Sequence, residues 1–275
     1  MESSDESLAN GIPEGLYVCS SGEREFSSIQ DAIDAAAEGQ TIFVFSGAYD
    51  ERLIINKTIN LLGEDMETTI IDGKNLGSVI SITDEGFCTI KGFTIQNSMS
   101  NDPGIDVKTS NNEICHNIIR DNYDGIYSYG GNYNSFYNNT FISNTMYAIY
   151  ILSRSDHNLI HNNVFEDNSF ALRIKSAQHN QVVKNQFYNN RRGVWLCCGS
   201  SHNVVYHNTF VNNSVWSAQD DVTRNVWYNE ETNQGNYWDD YDGIDENNDG
   251  IGDTDHNVRG SGSRKDPYPL MNPLN

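Results

Sequence analysis

The chain is poor in positive charge: 17 Lys and Arg stand against 38 Asp and Glu in 275 residues, a formal net charge of −21. Such a surface repels a phosphate backbone at long range, which argues against a nucleic-acid partner. No apolar run approaches the length that spans a bilayer, so no membrane insertion is expected. The opening MESSDESLAN has neither the basic segment nor the apolar stretch of a secretion signal. That leaves an intracellular, cytoplasmic chain or mature-region residues behind an added Met. Only five cysteines are present, Cys19, Cys88, Cys115, Cys197 and Cys198, with no CxxC or zinc-type spacing. They read mostly as small buried hydrophobes, and alternation along a strand should turn the adjacent Cys197 and Cys198 to opposite faces.

What the chain has in excess is asparagine, 36 residues, together with 15 Tyr. Disordered chains lack aromatic and β-branched residues, so this excess is no sign of disorder. The middle of the chain repeats Asn-x-apolar-x-x-Asn-x-apolar-x-x-Asn, beginning at Asn112, Asn134, Asn158, Asn180 and Asn203 and weakening at Asn225, with offsets of 22, 24, 22, 23 and 22 residues. Asn117, Asn139, Asn163, Asn185 and Asn208 form a second column, and Asn122, Asn144, Asn168, Asn190 and Asn213 a third. A leucine-rich repeat has a similar period but needs Leu at fixed points and a helix in each unit. Short β-branched strands between Asn turns instead predict an all-β, single-stranded, right-handed parallel β-helix with coils of 22–24 residues. Coils stacked roughly 4.8 Å apart let equivalent Asn side chains bond up the stack and satisfy the amides of left-handed turns.

Towards the N-terminus, Ser27 and Ser28 precede Ile29, Ala32, Ile33 and Ala36 at helical spacing, and Gly39 follows. This predicts a short amphipathic helix that caps the open end of the solenoid. Strands are expected at 41–45, 53–55, 59–62, 69–71, 78–82 and 89–95. The division expected is an extension over 1–24, the β-helix over 25–235 and a cap segment over 236–275.

The run FSSIQDAIDAAAEGQTIFVFSGAYDERLIINKTINLLGED resembles the opening of pectin-lyase-like right-handed β-helices. The ending GNYWDDYDGIDENNDGIGDT, followed by DPYPLM, resembles the tail of NosD-like β-helix proteins, a copper-accessory family that includes many archaeal surface proteins with carbohydrate-binding and sugar-hydrolase repeats. The resemblance covers roughly residues 25–272 and implies the fold. It does not imply one function, because the same coil carries lyases, hydrolases, epimerases, binding modules and structural proteins.

The segments after the third Asn column, GIDVK, GIYSY, AIYIL, ALRIK and GVWLC, alternate in a way that turns Ile105, Val107, Ile126, Ile149, Ile151, Leu172, Ile174, Val194 and Leu196 inward. Asp106, Tyr127, Tyr150, Arg173 and Trp195 then stack outward, with Lys108, Tyr129, Leu152, Lys175 and Cys197 beside them. Exposed aromatics interleaved with cations make a platform for sugar rings and their carboxylate or sulfate groups, while aromatics packed under a loop would explain the same residues structurally. Hydrolysis needs two carboxyl groups roughly 5–10 Å apart, for which Asp106 and Asp124 are the best pair. A lyase or epimerase needs a cation for a uronate and a base for its α proton, roles open to Arg173, Lys175, Tyr150 and Tyr127. The calcium-binding acids that accompany such bases in active relatives are sparse here.

Two metal readings follow. Asp245-x-Asn247-x-Asp249-Gly250-Ile251-Gly252-Asp253 sets oxygen ligands at alternate positions around a glycine turn, with Ile251 offering its carbonyl, as in the first nine positions of a calcium loop. His256 stands where the twelfth-position acid of an EF-hand would be, and Asp239, Asp240, Asp242 or Asp255 are candidates to complete the shell. The resembled family has Pro-Tyr where Asp255-His256 stand here. His157, His179 and His202 precede the first Asn column in successive coils and offer a softer alternative site for copper. The reading that joins these features is an extracellular or cell-surface module, stabilised by Ca2+, that binds a glycan or polysaccharide. Surface-layer or other protein partners stay open. The alternatives are a polysaccharide lyase or epimerase and a copper-handling accessory protein. Three N-x-S/T sequons at Asn56, Asn138 and Asn212 fit an external compartment.

Overall fold

The computed structural model describes residues 14–83 and 87–274; the opening MESSDESLAN and the rest of 1–13 lie outside them. The chain forms a parallel β-solenoid of about 9 turns. Three parallel sheets of nine, nine and eight strands run its length. In the repeat region each coil supplies one short strand to the first sheet, such as Leu159–His161, one to the second, such as Val164–Glu166, and a longer one to the third, such as Phe170–Lys175. The helix Ile29–Ala35 closes the N-terminal end, burying Ile29, Ala32 and Ile33. Ser28 caps it by accepting from Asp31 N at 3.2 Å, and Glu51 takes the amides of Ile29 and Gln30, so its first-turn donors are satisfied.

The asparagine columns are buried ladders, with Asn117, Asn163 and Asn185 all 0% exposed and the last Asn of the third column, Asn213, half-buried. In the second column the Oδ1 of Asn163 accepts from both the backbone N (3.0 Å) and the Nδ2 (3.1 Å) of Asn139 one coil earlier. Its own Nδ2 donates to Phe136 O, His161 O and Asn185 Oδ1. Every hydrogen-bonding valence of the amide is therefore used inside the solenoid. The left-handed conformation falls on the residue just before the ladder Asn, as at His157 (φ 58°), His179 (58°) and Lys184 (56°). The ladder holds non-glycine residues in a conformation they otherwise avoid.

Between these corners lies an apolar core. Phe141, Phe165, Phe187, Phe210 and Trp238 stack at centroid spacings of 4.9, 4.8, 4.8 and 4.4 Å. The first three of these match the coil repeat of a parallel sheet, so each ring packs on its own equivalent. Cys88, Cys115 and Cys197 are buried, whereas Cys198 is exposed; Cys198 lies past the strand end in a left-handed turn (φ 58°), so strand alternation does not govern it.

Two local expectations change. The strand expected over 89–95 is two strands, Cys88–Lys91 and Thr94–Gln96. Gly92 (φ +86°) makes the corner between them, and the Phe93 amide takes the ladder bond to Asn117 Oδ1 at 3.0 Å. A Cβ on Gly92 would stand 2.4 Å from Gly63 O, so only glycine fits. The pattern that weakens in sequence at Asn225 does not end there in space. Asn225 still accepts from Asn203 N and Nδ2, and Asn236, 28 residues after Asn208, extends the second column.

Both extended ladders end on a carboxylate. Asn225 Nδ2 donates to Asp220 Oδ1 (3.0 Å), and Asn236 N and Trp238 Nε1 donate to Asp266 Oδ2 (2.7 and 2.9 Å). Burial pushes the Asp266 carboxyl up to about 6, against the pull of these donors. Two outcomes follow. Asn163→Ala strips partners from Asn139 and from Phe136 O and should lower unfolding free energy by about 3 kcal/mol, read from urea melts. Because the folded pKa of Asp266 is raised, the native state holds this proton more tightly than the unfolded chain. The stabilising contribution is thus full near pH 4 and lost as pH rises to about 6. The margin of the wild type over Asp266→Asn should shrink across that window, and a margin that grows with pH would contradict the assignment.

Candidate functional site

The outward face of the third sheet is set by register. Asp106 pairs with Tyr127, Tyr127 with Tyr150, Tyr150 with Arg173, Arg173 with Trp195, and Trp195 with Gln219. The nine residues expected to face inward on these strands are all fully buried. The outward row is half-buried, not a line of open rings. The cause is a second row three residues earlier, Tyr147, Phe170, Arg192 and Trp216, also in register. Tyr147 lies 4.7 Å from the Tyr150 ring and Phe170 lies 5.9 Å from that of Trp195, so the two rows pack side by side.

Arg173 is the centre of this face. Its guanidinium lies 4.1 Å from the Trp195 ring centroid, 5.2 Å from Tyr150 and 5.5 Å from Tyr147, an aromatic cage of the kind that holds cations. Nη1 donates to Tyr147 Oη at 2.7 Å and Nη2 reaches Cys197 Sγ at 3.5 Å, while the buried Nε has no partner among the described residues. Burial lifts the Cys197 thiol to about 11, the guanidinium notwithstanding. Arg192 covers Phe170 at 4.6 Å. Trp195 Nε1 and Gln219 Nε2 both donate to Asp221 Oδ2. Burial opposes the Asp221 charge, but these donors and Ser261 outweigh it and hold the carboxyl below its usual range.

The carboxylates named from sequence occupy different settings. Asp106 is paired with Lys108 Nζ at 2.7 Å through Oδ2, and its buried Oδ1 lacks a partner among the described residues. Asp124 is not in the outward row. It sits beside Pro103 in the flanking row, 6% exposed, accepts from Tyr147 N at 3.0 Å, and is pushed by burial up to about 6. Burial and then the charges of Asp106 and Asp124 raise the Tyr127 phenol. Tyr150 is pushed up to about 12, again by burial, with Arg173 opposing. Lys175 pairs with Leu152 and Cys197, two positions along from Arg173.

The histidine column forms a stack on another corner. Tyr133, His157, His179 and His202 lie face to face at 5.0, 5.0 and 5.1 Å with planes within 16°. At the C-terminal end, the predicted oxygen loop folds on itself. Asp245 accepts from Asp249 N and Gly250 N, Asn247 Oδ1 from Asp249 N, Asp249 Oδ1 from Ile251 N, and Asp253 Oδ2 from Glu246 N. Gly250 (φ +86°) makes the turn. Leu270 tethers it by bridging both Ile251 and Tyr237 of the last coil. Three of the acids suggested to complete the shell have other partners: Asp239 accepts from Asn212 N, Asp255 pairs with Lys265, and Asp240 faces His256. His256 stacks on Trp238 at 4.3 Å.

Stacked parallel coils with aromatic rows on one broad sheet define a parallel β-helix protein. The chain belongs to the NosD family: the family model described as "Periplasmic copper-binding protein (NosD)" matches residues 33–243. No curated protein is similar enough in sequence to mark a relative. Among solved structures the chain is similar to XylC in complex with xylose (TM-score 0.53, 12% identity, 78% of this chain and 70% of that one). It is similar also to pectin methylesterase from carrot (0.53, 11%, 83% and 82%) and to the PL6 family alginate lyase AlyGC (0.54, 15%, 75% and 36%). At these identities the likeness is one of fold.

The family description makes copper the metal to test against the side chains. An imidazole nitrogen bonds a metal in the plane of its ring at roughly 2 Å, and in the stack of His157, His179 and His202 an ion in one plane stands far out of its neighbour's. The stacked rings therefore do not fit a shared copper ion. Among the described residues no three His, Cys, Asp or Glu side chains converge as a metal cage. No helix there is long and apolar enough to cross a membrane.

Proposed function

We propose that the protein is an extracellular or cell-surface module that binds acidic glycans across the third sheet. The observation that carries this reading is the Arg173 cage, a cation held at the centre of two aromatic rows with Arg192 beside it. Cations placed between rings suit uronate or sulfate groups on sugars whose apolar faces meet the aromatics. In a chain of net charge −21, Arg173 and Arg192 concentrate positive charge on this strip. With Tyr150 lifted to about 12, its phenol keeps its proton near neutrality and is a poor base for a lyase or epimerase. The buried Asp124, at about 6, is the residue that would serve an acid–base step if one occurs.

Arg192 has no hydrogen bond or ion pair among the described residues beyond its strand pairing, so it is the cleaner probe. Arg192→Gln should weaken retention on polygalacturonate in affinity electrophoresis about tenfold, the loss of one charge-assisted contact, with Tm within a few degrees. Arg120→Gln, on the second-sheet strand Ile118–Arg120, is the control. Undiminished retention by Arg192→Gln would move the glycan elsewhere, and rising absorbance from unsaturated uronates would make the protein a lyase.

The oxygen-rich turn at Asp245, Asn247, Asp249, Ile251 and Asp253 supports a Ca2+ role in holding the C-terminal segment. The loop's tether through Leu270 to the last coil would couple ion binding to the fold. Adding Ca2+ to chelated protein should then raise Tm with ion concentration by mass action. Asp249→Ala should remove most of the rise, and replacing His157, His179 and His202 by Ala should not. A Tm indifferent to Ca2+ would discard the ion.

A further inference from the structure

On the corner between the first and second sheets, the residues ahead of the second Asn column are Asn162, Lys184 and His207 in successive coils, all left-handed. A hollow lies on each side of this ridge. One, of about 140 Å³, faces the second sheet and includes Gln186, Thr209 and Leu274 in its wall. The other, of about 460 Å³, faces the first sheet and includes His161, Gln181, Tyr206 and Asn229. Both share Asn162, Lys184 and His207. Among the described residues neither is lined by an Asp or Glu carboxylate, in a chain that carries 38 of them. Lys184 has no ion-pair partner among the described residues, and every other polar side chain named here carries N–H or O–H donors.

We propose that this double hollow is a binding site for an oxyanion, a carboxylate or a tetrahedral phosphate or sulfate group, held by Lys184 between His161 and His207. The site is separate from the glycan face and stands whether or not that reading does. Lys184 is near enough to both imidazoles for its charge to act on them, and with burial, the larger cause, it lowers both pKa values. An anion between the three groups reverses that influence. Binding should therefore draw a proton onto an imidazole and tighten as pH falls. Tyr137 stacks on His161 at 5.0 Å. Tyr206 packs edge-on to His207, Gln234 Oε1 lies 3.1 Å from His207 Nε2, and Asn162 Nδ2 lies 3.2 Å from His161 Nδ1. Glu230 and Glu231 line the next hollow along, past Gln181, Tyr206 and Asn229. They frame the site on one side without entering it and favour a compact anion over a long polyanion there.

The test follows the imidazole Cε1–H resonances while the full chain is titrated separately with inorganic phosphate, sulfate and galacturonate at pH 6.0 and 7.5. Saturable shifts are expected at His161 and His207, at least threefold tighter at the lower pH, with His157, His179 and His202 on the other corner as internal controls. The phosphate, sulfate and sugar-acid arms tell which oxyanion fits. Lys184→Asn puts into the corner the residue that already holds it at Asn138 and Asn162 with φ of 52° and 54°, so the fold is kept while the charge is lost. This variant should bind at least tenfold more weakly and titrate His161 and His207 at higher pH without anion, and Lys184→Arg should restore binding. No saturable shift with any of the three anions overturns the site. So do equal shifts at all the histidines, or affinity unchanged in Lys184→Asn.

Discussion

A buried amide that leaves none of its hydrogen bonds unmade is the constraint from which this structure is built. Three corners per coil would each bury backbone donors with no strand beside them, and an unmet buried donor is expensive. The ladder Asn answers with one carboxamide. Its oxygen takes the donors of the coil before, and its nitrogen closes on a carbonyl there and on the next amide, as Asn185 does with Ile160 O and Asn208 Oδ1. The spacing this sets is also the spacing at which phenyl rings stack, so the Phe141–Phe210 column inside and the Tyr133–His202 column outside share one repeat. Core and surface are thus ordered by the same interaction.

A scaffold held from its corners leaves the faces of its sheets free to carry chemistry. Strand alternation alone fixes which side chains of the third sheet look outward, and the packing of neighbours decides how far they are open. Arg173 gains its setting from residues in three coils, Tyr147 and Tyr150 before it and Trp195 after it. The corners contribute differently. A left-handed residue there projects away from the coil, so His157 and Lys184 stand on ridges whatever their type, and the site each builds depends on its neighbours along the stack. Rings continue the column at His157, whereas a lone cation between an amide and an imidazole interrupts it at Lys184.

The sequence was most legible where one residue type answers one physical need. The three Asn columns, the nine inward apolar residues and the capping helix at Ile29–Ala35 follow from spacing, because burial and hydrogen bonding there depend on periodicity alone. The row Tyr147, Phe170, Arg192 and Trp216 was harder to see. The alternation is broken between it and the face by the small residues Ala148, Ala171 and Gly193, so counting by twos from the outward row misses it. Its signal was a recurrence at the coil period, three residues ahead of Tyr150, Arg173 and Trp195. Asp220 and Asp266 were illegible for another reason. Each reaches its ladder from an irregular offset, and only folding brings Asp266, 30 residues on, under Asn236. Tyr127, Tyr150 and Trp195 are less open than alternation alone implies, since exposure depends on what lies beside a strand as well as on which way it faces.

All three ladders point the same way. From Cys88, Phe93 and Ser98 onward, N–H groups of each coil donate to the Asn oxygen of the next, and the direction does not reverse before Asp220 and Asp266. The solenoid therefore has a head and a tail that are chemically unlike. Its head asks only for ordinary backbone amides to feed the first oxygens, whereas at its tail two of the three ladders give their donors to carboxylates and the third ends at Asn213 on Phe187 O and Ser217 Oγ. A coil copied within the array meets matching partners above and below. A coil added beyond Asn236 would displace the carboxylate that terminates the series. Growth of such a protein by duplication is thereby confined to its interior, and the C-terminal segment is carried along unchanged as the fixed stop of an otherwise adjustable stack.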